Sequence, residues 1–351
     1  MPALIEARDL RVALPTARGP AEALRGVSFT IERGETVGLI GESGCGKSMT
    51  ALALMGLLPE GARIGGSIRF DGRELVGLPE AALDAIRGDR IAMVFQEPMT
   101  ALNPLHTIGD QVAEPLGMHR GLGRAAARAE ALRLLERVRL PDPRQRLDAY
   151  PHQLSGGQRQ RVTIAMALAC GPALLIADEP TTALDVSIQG EILDLISDLV
   201  RESGMALLLI SHDLGVMARS VGRMLVMYGG SVVESASATS LFARPSHPYT
   251  RGLFGARPRL GQARGTRLVT IPGRVPELLD LPPGCPFADR CGWVVEACHA
   301  ALPPAVEVAP QHAARCIRLD AISAGEPPHE PGVAMRAGEL PARAVAAARH
   351  G

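Results

Sequence analysis

A glycine-rich turn followed by lysine and serine is the feature of this sequence with the clearest chemistry. Residues 41–48 read GESGCGKS, which fits the spacing G-x-x-x-x-G-K-[ST], and an apolar run over residues 37–40 precedes them. Glycines let the backbone wrap closely around phosphate oxygens, and a helix predicted from Lys47 adds the positive end of its dipole. Lys47 supplies a point charge for the terminal phosphates, and the Ser48 hydroxyl is suited to Mg²⁺. The turn predicts a nucleotide phosphate site, with a chance glycine turn as the alternative.

A pair of acids after a second apolar run supplies the other half of a phosphoryl-transfer site. Residues 173–177 are continuously apolar, as buried parallel strands are, and Asp178 and Glu179 follow directly. We expect Asp178 to hold Mg²⁺, directly or through water, and Glu179 to polarise the attacking water as a general base. Either carboxylate alone could be an ordinary solvated acid after a core strand. Together with the glycine-rich turn, the pair predicts nucleotide hydrolysis.

The composition is that of a folded soluble protein with no preference for nucleic acid. The chain has 351 residues, 46% apolar and 21% charged, which allows one large domain, or one domain with a small appendage. Lys plus Arg and Asp plus Glu are both 37, and aromatic residues are only 3%, which disfavours nucleic-acid binding. No secretory signal opens the sequence, and the longest uncharged run, residues 162–177, is interrupted by Gly171 and Pro172. The sequence predicts a cytosolic chain.

The motif LSGGQ lies between the turn and the acid pair, ahead of a predicted helix. With it, the sequence strongly resembles the ATP-binding cassette (ABC) family, whose signature this motif is. The signature residues are Leu154, Ser155, Gly156, Gly157 and Gln158. The resemblance implies an α/β P-loop (RecA-like) nucleotide-binding domain over residues 1–240. It also implies an N-terminal antiparallel β portion and an inserted helical subdomain at about residues 98–160.

The resemblance assigns roles to further residues. Gln96 matches the Q-loop glutamine, which reaches the metal and the attacking water, Asp185 lies in the D-loop, and His212 matches the switch histidine. The catalytic set is then Glu179, His212 and Gln96, and the Mg²⁺ set is Ser48, Gln96 and Asp178. The implied ATP-binding residues are Leu14, Gly41, Glu42, Ser43, Gly44, Cys45, Gly46, Lys47, Ser48 and Met49. Leu14 stands where the family usually stacks adenine on an aromatic ring, and leucine offers no π face.

The family's mechanism needs a second cassette. The signature of one subunit caps the ATP held by the glycine-rich turn of another, and small residues at a helix N-terminus can offer backbone N–H groups to phosphate. Since this sequence has one turn and one signature, the working unit needs a further cassette chain. ATP binding then adds interface contacts that hydrolysis removes, and this difference can drive motion in a partner.

Two further stretches point to one branch of the family. FQEPMTALNP (residues 95–104) and RPSHPYTRGL (residues 244–253) resemble the ATPases that serve oligopeptide, dipeptide and nickel importers, and LACGPALLIADEPTTALDVSIQ (residues 168–189) resembles their D-type form. The resemblance implies an F-type partner ATPase, two transmembrane permeases, an extracytoplasmic solute-binding protein and a peripheral place on the cytoplasmic face of the plasma (inner) membrane. Di- or oligopeptides are the expected cargo, with nickel or another small solute as the alternative. A soluble ABC ATPase acting on nucleic acid is the alternative from another class.

Four of the six cysteines lie in the C-terminal third of the sequence. Cys285, Cys291, Cys298 and Cys316 are separated by five, six and seventeen residues, which matches neither a paired C-x-x-C zinc pattern nor a common ferredoxin spacing. The spacing leaves free buried thiols, a zinc site and a cluster open, and His299 and His312 are near enough to act as substitute ligands. The family resemblance implies a [4Fe–4S] cluster in a peptide-importer-type extension over residues 241–325, with Zn²⁺ as the alternative. Residues 326–351 are rich in Pro, Ala and Gly, which predicts a disordered tail.

Overall fold

Two β-sheets carry the fold of the computed structural model, which describes residues 2–96, 101–182, 184–256, 270–326 and 328. The strands of the first sheet are β1 (Ile5–Thr16), β2 (Gly19–Ile31), β4 (Arg63–Phe70) and β5 (Arg73–Glu74). They lie in the order β2-β1-β4-β5, and every neighbouring pair runs antiparallel. This sheet is the antiparallel portion that the family resemblance implied.

The second sheet has eight strands and positions the chemistry. Its strands are β3 (Thr36–Ile40), β6 (Ile91–Val94), β7 (Leu174–Asp178), β8 (Ala206–Ile210), β9 (Arg223–Tyr228), β10 (Ser231–Ser237), β11 (Val306–Ala309) and β12 (His312–Ala314). They lie in the order β11-β12-β10-β9-β3-β8-β7-β6, and the five from β9 to β6 are parallel. The carboxyl ends of β3, β6, β7 and β8 therefore meet at one edge, where ligands bind in open α/β sheets.

The central strands are apolar because both of their faces are covered. Every residue of β7 and β8 is buried, and their sequences LLIAD and ALLLI show no alternation with polar residues. Residues of the two strands that point to opposite faces belong to two separate hydrophobic clusters. A central sheet packed on both sides confirms the α/β class predicted from the sequence.

Helices surround the sheets in the described part of the chain. Those before residue 205 are α1 (Lys47–Met55), α2 (Glu80–Asp84), α3 (Ile108–Arg120), α4 (Arg124–Arg137), α5 (Pro143–Arg146), α6 (Gly156–Leu168) and α7 (Val186–Ser203). Those after it are α8 (Leu214–Ser220), α9 (Ala238–Ala243), α10 (Pro248–Gly255), α11 (Ala297–Ala300) and α12 (Leu319–Ser323). Short 3₁₀ helices cover Pro151–Gln153, Leu278–Asp280 and Ala288–Arg290. Among the described helices, none combines the length and apolar character needed to cross a membrane.

The predicted helical subdomain contains α3, α4 and α5 and the start of α6. Its first helix is well delimited: the Thr107 side chain accepts a hydrogen bond from the backbone N–H of Asp110, and Gly121 ends the helix with φ 64°. Residues 97–100, which include the start of the predicted subdomain at 98, lie outside the described residues. The limits 98–160 therefore stay a prediction.

The C-terminal extension continues the sheet of the cassette. Strand β12 pairs with β10, and β11 pairs with β12, so the sheet runs across the boundary predicted at residue 240. Buried Glu234 on β10 accepts hydrogen bonds from the backbone N–H groups of Ser246 (2.7 Å) and His247 (2.8 Å) and lies 2.7 Å from Nε2 of His312. These bonds fasten the extension to the cassette, and the boundary itself stays a prediction.

The predicted tail is only partly within the described residues. Residues 327 and 329–351 lie outside them. Glu326 closes the described extension, since the indole N–H of Trp293 donates to its carbonyl oxygen at 2.8 Å and the Arg318 guanidinium pairs with its carboxylate. The predicted disorder of residues 326–351 stays a prediction.

Candidate functional site

The glycine-rich turn links β3 to α1, and two of its glycines are required by close backbone approaches. A Cβ on Gly41 would stand 2.3 Å from the carbonyl oxygen of Met227. Gly46 has φ +105°, and a Cβ there would lie 3.0 Å from the carbonyl oxygen of Ala23. Side chains at these positions would force the turn away from the neighbouring strands, so glycine keeps it tightly folded.

Lys47 starts α1 and points back into the turn. Its Nζ donates to the carbonyl oxygens of Gly41 at 2.9 Å and Glu42 at 3.1 Å, and the side chain is only 6% exposed. The ammonium therefore stands among the backbone groups that would surround a phosphate. This placement agrees with the charge role predicted for Lys47.

Ser48 and Asp178, two of the predicted Mg²⁺ ligands, lie within hydrogen-bond contact of each other. Burial raises the pKa of Asp178, as does the nearby charge of Glu179, while a hydrogen bond from Ser48 and the charge of Lys47 oppose the rise. One carboxylate oxygen, Oδ1, is buried and has no hydrogen-bond partner within the described residues. A buried, unsatisfied carboxylate oxygen beside a serine hydroxyl fits a hard divalent cation such as Mg²⁺.

The carboxylate of Glu179 is the point on which the catalytic residues converge. Its Oε2 lies 3.3 Å from Nε2 of Gln96, 2.9 Å from Oγ1 of Thr182 and 3.5 Å from Nδ1 of His212. Glu179 has a left-handed backbone with φ +44°, an uncommon conformation for a residue with a side chain. Three predicted catalytic residues are thus brought together, and Thr182 joins them without having been predicted.

A cavity of about 540 Å³, here called the phosphate cavity, joins these parts. Every residue of the predicted ATP-binding set except Cys45 lines it, and so do Gln96, Glu179 and His212. The side chain of Cys45 turns away into the hydrophobic core, fully buried, and burial raises the pKa of its thiol. Cys45 is therefore a small packing residue, and only its backbone can face a phosphate.

The phosphate cavity has an apolar wall that the sequence only partly indicated. Leu14 and Ala23 from β1 and β2 line it, together with Leu253 of α10 and Leu278 of the extension. The segment around Leu278 is fastened to the turn that joins these strands: the Arg18 guanidinium lies 2.8 Å from the Asp280 carboxylate. Leu278 was not predicted, because the sequence around it has no pattern that links it to the glycine-rich turn, which lies more than 200 residues earlier.

The signature motif lies at the start of α6, away from the phosphate cavity of its own chain. Ser155 caps the helix: its Oγ accepts from the N–H of Gln158 at 3.3 Å, and the Gln158 side chain accepts from the N–H of Ser155 at 3.0 Å. Leu154 is buried, whereas Ser155 and Gly156 are exposed and Gly157 is half-buried. The signature thus presents small residues to its surroundings.

The D-loop lies beside the signature. Asp185 is exposed and stands at the N-terminus of α7, without a capping hydrogen bond from its side chain. Its neighbour Leu184 is close enough that a Cβ on Gly156 would lie 3.3 Å from the leucine side chain. The structure therefore brings the D-loop and the signature together, and Ala183 lies outside the described residues.

The four C-terminal cysteines line one small cavity of about 10 Å³, here called the cysteine cavity. Burial raises the pKa of Cys285 and of Cys291 to about 12 and that of Cys316 to about 11, so these thiols are neutral near pH 7. His299 and His312, the substitute ligands suggested by the sequence, do not line this cavity, whereas His247 does. Within the described ranges, no three His, Cys, Asp or Glu side chains are grouped closely enough to hold a metal ion.

Comparisons with known proteins agree with this geometry. A family model described as ABC transporter matches residues 24–182, and one described as oligopeptide/dipeptide transporter, C-terminal region, matches residues 233–298. An ATP-binding cassette solved as a dimer with ADP and phosphate, in a post-hydrolysis state, superposes with a TM-score of 0.60 at 31% identity and covers 67% of this chain and 98% of its own. A cassette from Clostridium perfringens that is part of an ABC transporter complex gives 0.59 at 26% identity, over 70% of this chain and 92% of its own. Fold and site together define an ABC-type ATPase, whose substrate is ATP with Mg²⁺.

The relatives identify the branch. The oligopeptide transport ATP-binding protein OppD of Salmonella typhimurium is 49% identical over 315 residues, which cover 90% of this chain and 93% of OppD. A candidate peptide import ATP-binding protein of Brucella melitensis is 51% identical over 333 residues, which cover 92% of this chain and 98% of that protein. The chain belongs to the family of ABC transporter ATP-binding proteins with the oligopeptide/dipeptide-type C-terminal region.

Proposed function

We propose that this chain is the ATP-hydrolysing subunit of an importer for di- or oligopeptides, and that it works at the cytoplasmic face of the membrane. The convergence of Gln96, Thr182 and His212 on one oxygen of Glu179, at the edge of the phosphate cavity, carries the hydrolytic part of the proposal. The C-terminal family match and the printed names of the relatives favour peptides as cargo over nickel or another small solute.

The residues of the phosphate cavity take distinct roles in the proposed reaction. Glu179 accepts a proton from a water molecule whose oxygen attacks the γ-phosphorus, and the bond to the ADP oxygen breaks. Lys47 and the backbone N–H groups of the turn stabilise charge on the phosphate oxygens, while Gln96 and His212 hold the Glu179 carboxylate toward the water. Ser48 and Asp178 would hold Mg²⁺, with Gln96 as a further candidate ligand, and the bound ion would neutralise charge on the phosphate oxygens.

We further propose that the working form is a pair of cassettes, with an F-type ATPase as the second. Ser155 and Gly156 are exposed and do not line the phosphate cavity of their own chain, which favours a role toward the nucleotide of another cassette. Asp185, exposed beside them, suits the same interface. Two permeases and an extracytoplasmic binding protein complete the proposed importer, and they receive the motion of cassette closure.

The cysteine cavity is the proposed site of the [4Fe–4S] cluster, with Zn²⁺ as the alternative. In favour of the cluster, Cys285, Cys291, Cys298 and Cys316 face one cavity and form the four-thiolate ligand set that such clusters use. At about 10 Å³ the cavity has room for roughly one water molecule, and its thiols are not arranged to hold a metal ion, so the four side chains must rearrange and ionise to bind any metal group.

Transport by the reconstituted complex tests the proposed function. The chain, its partner ATPase, the two permeases and the binding protein are placed in liposomes with labelled tripeptide or with nickel. We expect ATP-dependent uptake of the peptide and none of nickel. Uptake of nickel alone would replace the cargo, and hydrolysis that DNA stimulates without permeases would support the nucleic-acid alternative instead.

Metal analysis tests the cysteine site. Protein purified without oxygen should be brown and contain about four iron and four sulfide per chain. The variant Cys298→Ser should lose this iron, whereas Cys170→Ser, a buried cysteine of the cassette core, should keep it. Colourless wild-type protein with one zinc per chain would establish the alternative.

A further inference from the structure

The C-terminal extension sends one charged side chain into the phosphate-binding turn. Arg290, at the end of the 3₁₀ helix Ala288–Arg290, donates from Nη1 to Oε2 of Glu42 at 2.6 Å and from Nη2 to Oε1 at 3.2 Å. The Arg290 side chain is 6% exposed and that of Glu42 27%. This is a two-point, largely buried ion pair between residues 248 positions apart.

Other contacts hold Arg290 in this position. Its Nε donates to the carbonyl oxygen of Pro272 at 2.8 Å, and its Nη1 also donates to the Tyr228 hydroxyl at 3.1 Å. The guanidinium carbon lies 5.7 Å from the centre of the Tyr228 ring and 5.9 Å from that of Phe287. The side chain is therefore ordered before any nucleotide binds, so binding requires little further loss of rotamer freedom.

Glu42 is in turn held at three points. Its N–H donates to the hydroxyl of Tyr249 at 2.8 Å, its carbonyl oxygen accepts from Lys47 at 3.1 Å, and its carboxylate receives Arg290. Glu42 lines the phosphate cavity. Without Arg290, an unpaired carboxylate would stand in a cavity that receives a triphosphate, and like charges at short range repel.

We propose that Arg290 is a positioning residue of the ATP site: it neutralises and orients Glu42, so the extension contributes directly to ATP affinity. The inference rests on the proposed ATP site and adds to it a residue from outside the cassette core. It predicts a specific pattern of coupling between positions 42 and 290, because Glu42 harms binding only when its partner is missing.

A double-mutant cycle on the full chain tests the proposal, with a fluorescent ATP analogue and Mg²⁺ as the probe. We expect R290M to bind the analogue about tenfold more weakly and to raise KM for ATP with kcat within about twofold, because uniform binding is lost. E42Q should bind about threefold more weakly, and E42Q/R290M should match E42Q, since removal of the carboxylate removes the repulsion. Wild-type affinity in R290M, or a double variant as weak as R290M, overturns the proposal.

Two further variants separate positioning from simple stability. Arg315→Met removes another part-buried guanidinium of the extension, which donates to the carbonyl of Pro303 and does not touch the turn, so ATP affinity should stay at the wild-type value. R290K keeps the charge but loses the two-point bond, so its ATP affinity should lie between those of wild type and R290M. If R290M does not fold, R290K takes its place in the cycle with E42Q. A wild-type chain that does not bind ATP would refute the proposed function itself, whereas ATP binding without coupling refutes only this inference.

Discussion

The phosphate cavity and the cysteine cavity are built in opposite ways. The first is about 540 Å³, and next to Ser48 of its lining stands a group with unused bonding capacity, the buried Oδ1 of Asp178. The second is about 10 Å³, and burial raises the pKa of thiols that line it, so they are neutral and packed together. The polar atoms at the phosphate cavity need a ligand to complete their bonding, whereas the cysteine cavity is a small apolar core that packs without one.

This difference indicates how each region would respond to its ligand. In the phosphate cavity the groups already stand where phosphate and metal are expected, so binding needs little rearrangement and the effect of a substitution falls on chemistry or affinity. In the cysteine cavity a ligand must rearrange the thiols and remove their protons, so loading is coupled to pH and to folding. Substitutions there should act first on stability.

The largest expected effect is on Glu179→Gln. The amide cannot accept the proton of the attacking water, so hydrolysis should fall by about a hundredfold or more while ATP affinity stays near the wild-type value. Phosphate release and equilibrium binding of ATP measure the two quantities. Glu202→Gln, an exposed residue on α7, serves as the control and should hydrolyse ATP normally. Near-normal hydrolysis by Glu179→Gln would remove this residue from the mechanism.

An intermediate effect is expected at His247, which lines the cysteine cavity and is 1% exposed. Burial lowers the pKa of His247 to about 3 in the folded protein, against about 6.5 when unfolded. Between these values the unfolded chain binds the additional proton, so stability is present above pH 6.5 and is lost as pH falls toward 3. From pH 6.5 to pH 5 this one group should lower the free energy of unfolding by about 2 kcal/mol.

Urea unfolding at the two pH values measures this loss. In the wild type, Nδ1 of His247 accepts a hydrogen bond from the backbone N–H of Tyr249 at 3.1 Å. His247→Asn keeps an acceptor for this N–H and should lack the pH dependence of stability that His247 causes. His106→Asn, at an exposed position, should keep it. If wild type and His247→Asn lose equal stability between pH 6.5 and pH 5, the histidine is not buried in neutral form and the contrast between the two cavities weakens.

The smallest expected effect is at Leu278. This residue of the extension lines the phosphate cavity with Leu14, and its loss removes apolar surface next to the expected place of adenine. Leu278→Ala should weaken ATP binding about threefold to fivefold, by roughly 1 kcal/mol. Leu14→Tyr should strengthen it by a similar factor, because a ring can stack on the base. Leu279→Ala, in the same 3₁₀ helix but away from the cavity, is the matched control. An equal loss of ATP affinity in Leu279→Ala would show that Leu278 has no specific role.

The sequence predicted the parts of the site that lie in short, ordered segments. The turn from Gly41 to Ser48, the acids after β7 and the histidine after β8 each follow an apolar run, and parallel strands bring their carboxyl ends to one edge. The α/β class followed from the same runs, and the branch of the family followed from resemblance. Thr182 was missed because the sequence does not show that its hydroxyl turns back to Glu179.

Contacts between distant segments could not be predicted from the sequence. The ion pair of Arg290 with Glu42 spans 248 positions, and neither residue carries a local signal for the other. The same holds for Leu278 beside Leu14. The cysteine spacing showed that three thiols are near one another along the chain, but their common cavity depends on β12 pairing with β10, which only the fold reveals.

Glu234 determines how this protein can be shortened. A chain cut after β10 would lose Ser246, His247 and His312, which supply the hydrogen bonds of the Glu234 carboxylate, together with β12. Strand β10 would then become the edge of the sheet, and its free N–H and C=O groups could pair with another chain. We therefore expect a minimal cassette to depend on Glu234 as a solvated charge on that edge, which opposes such pairing.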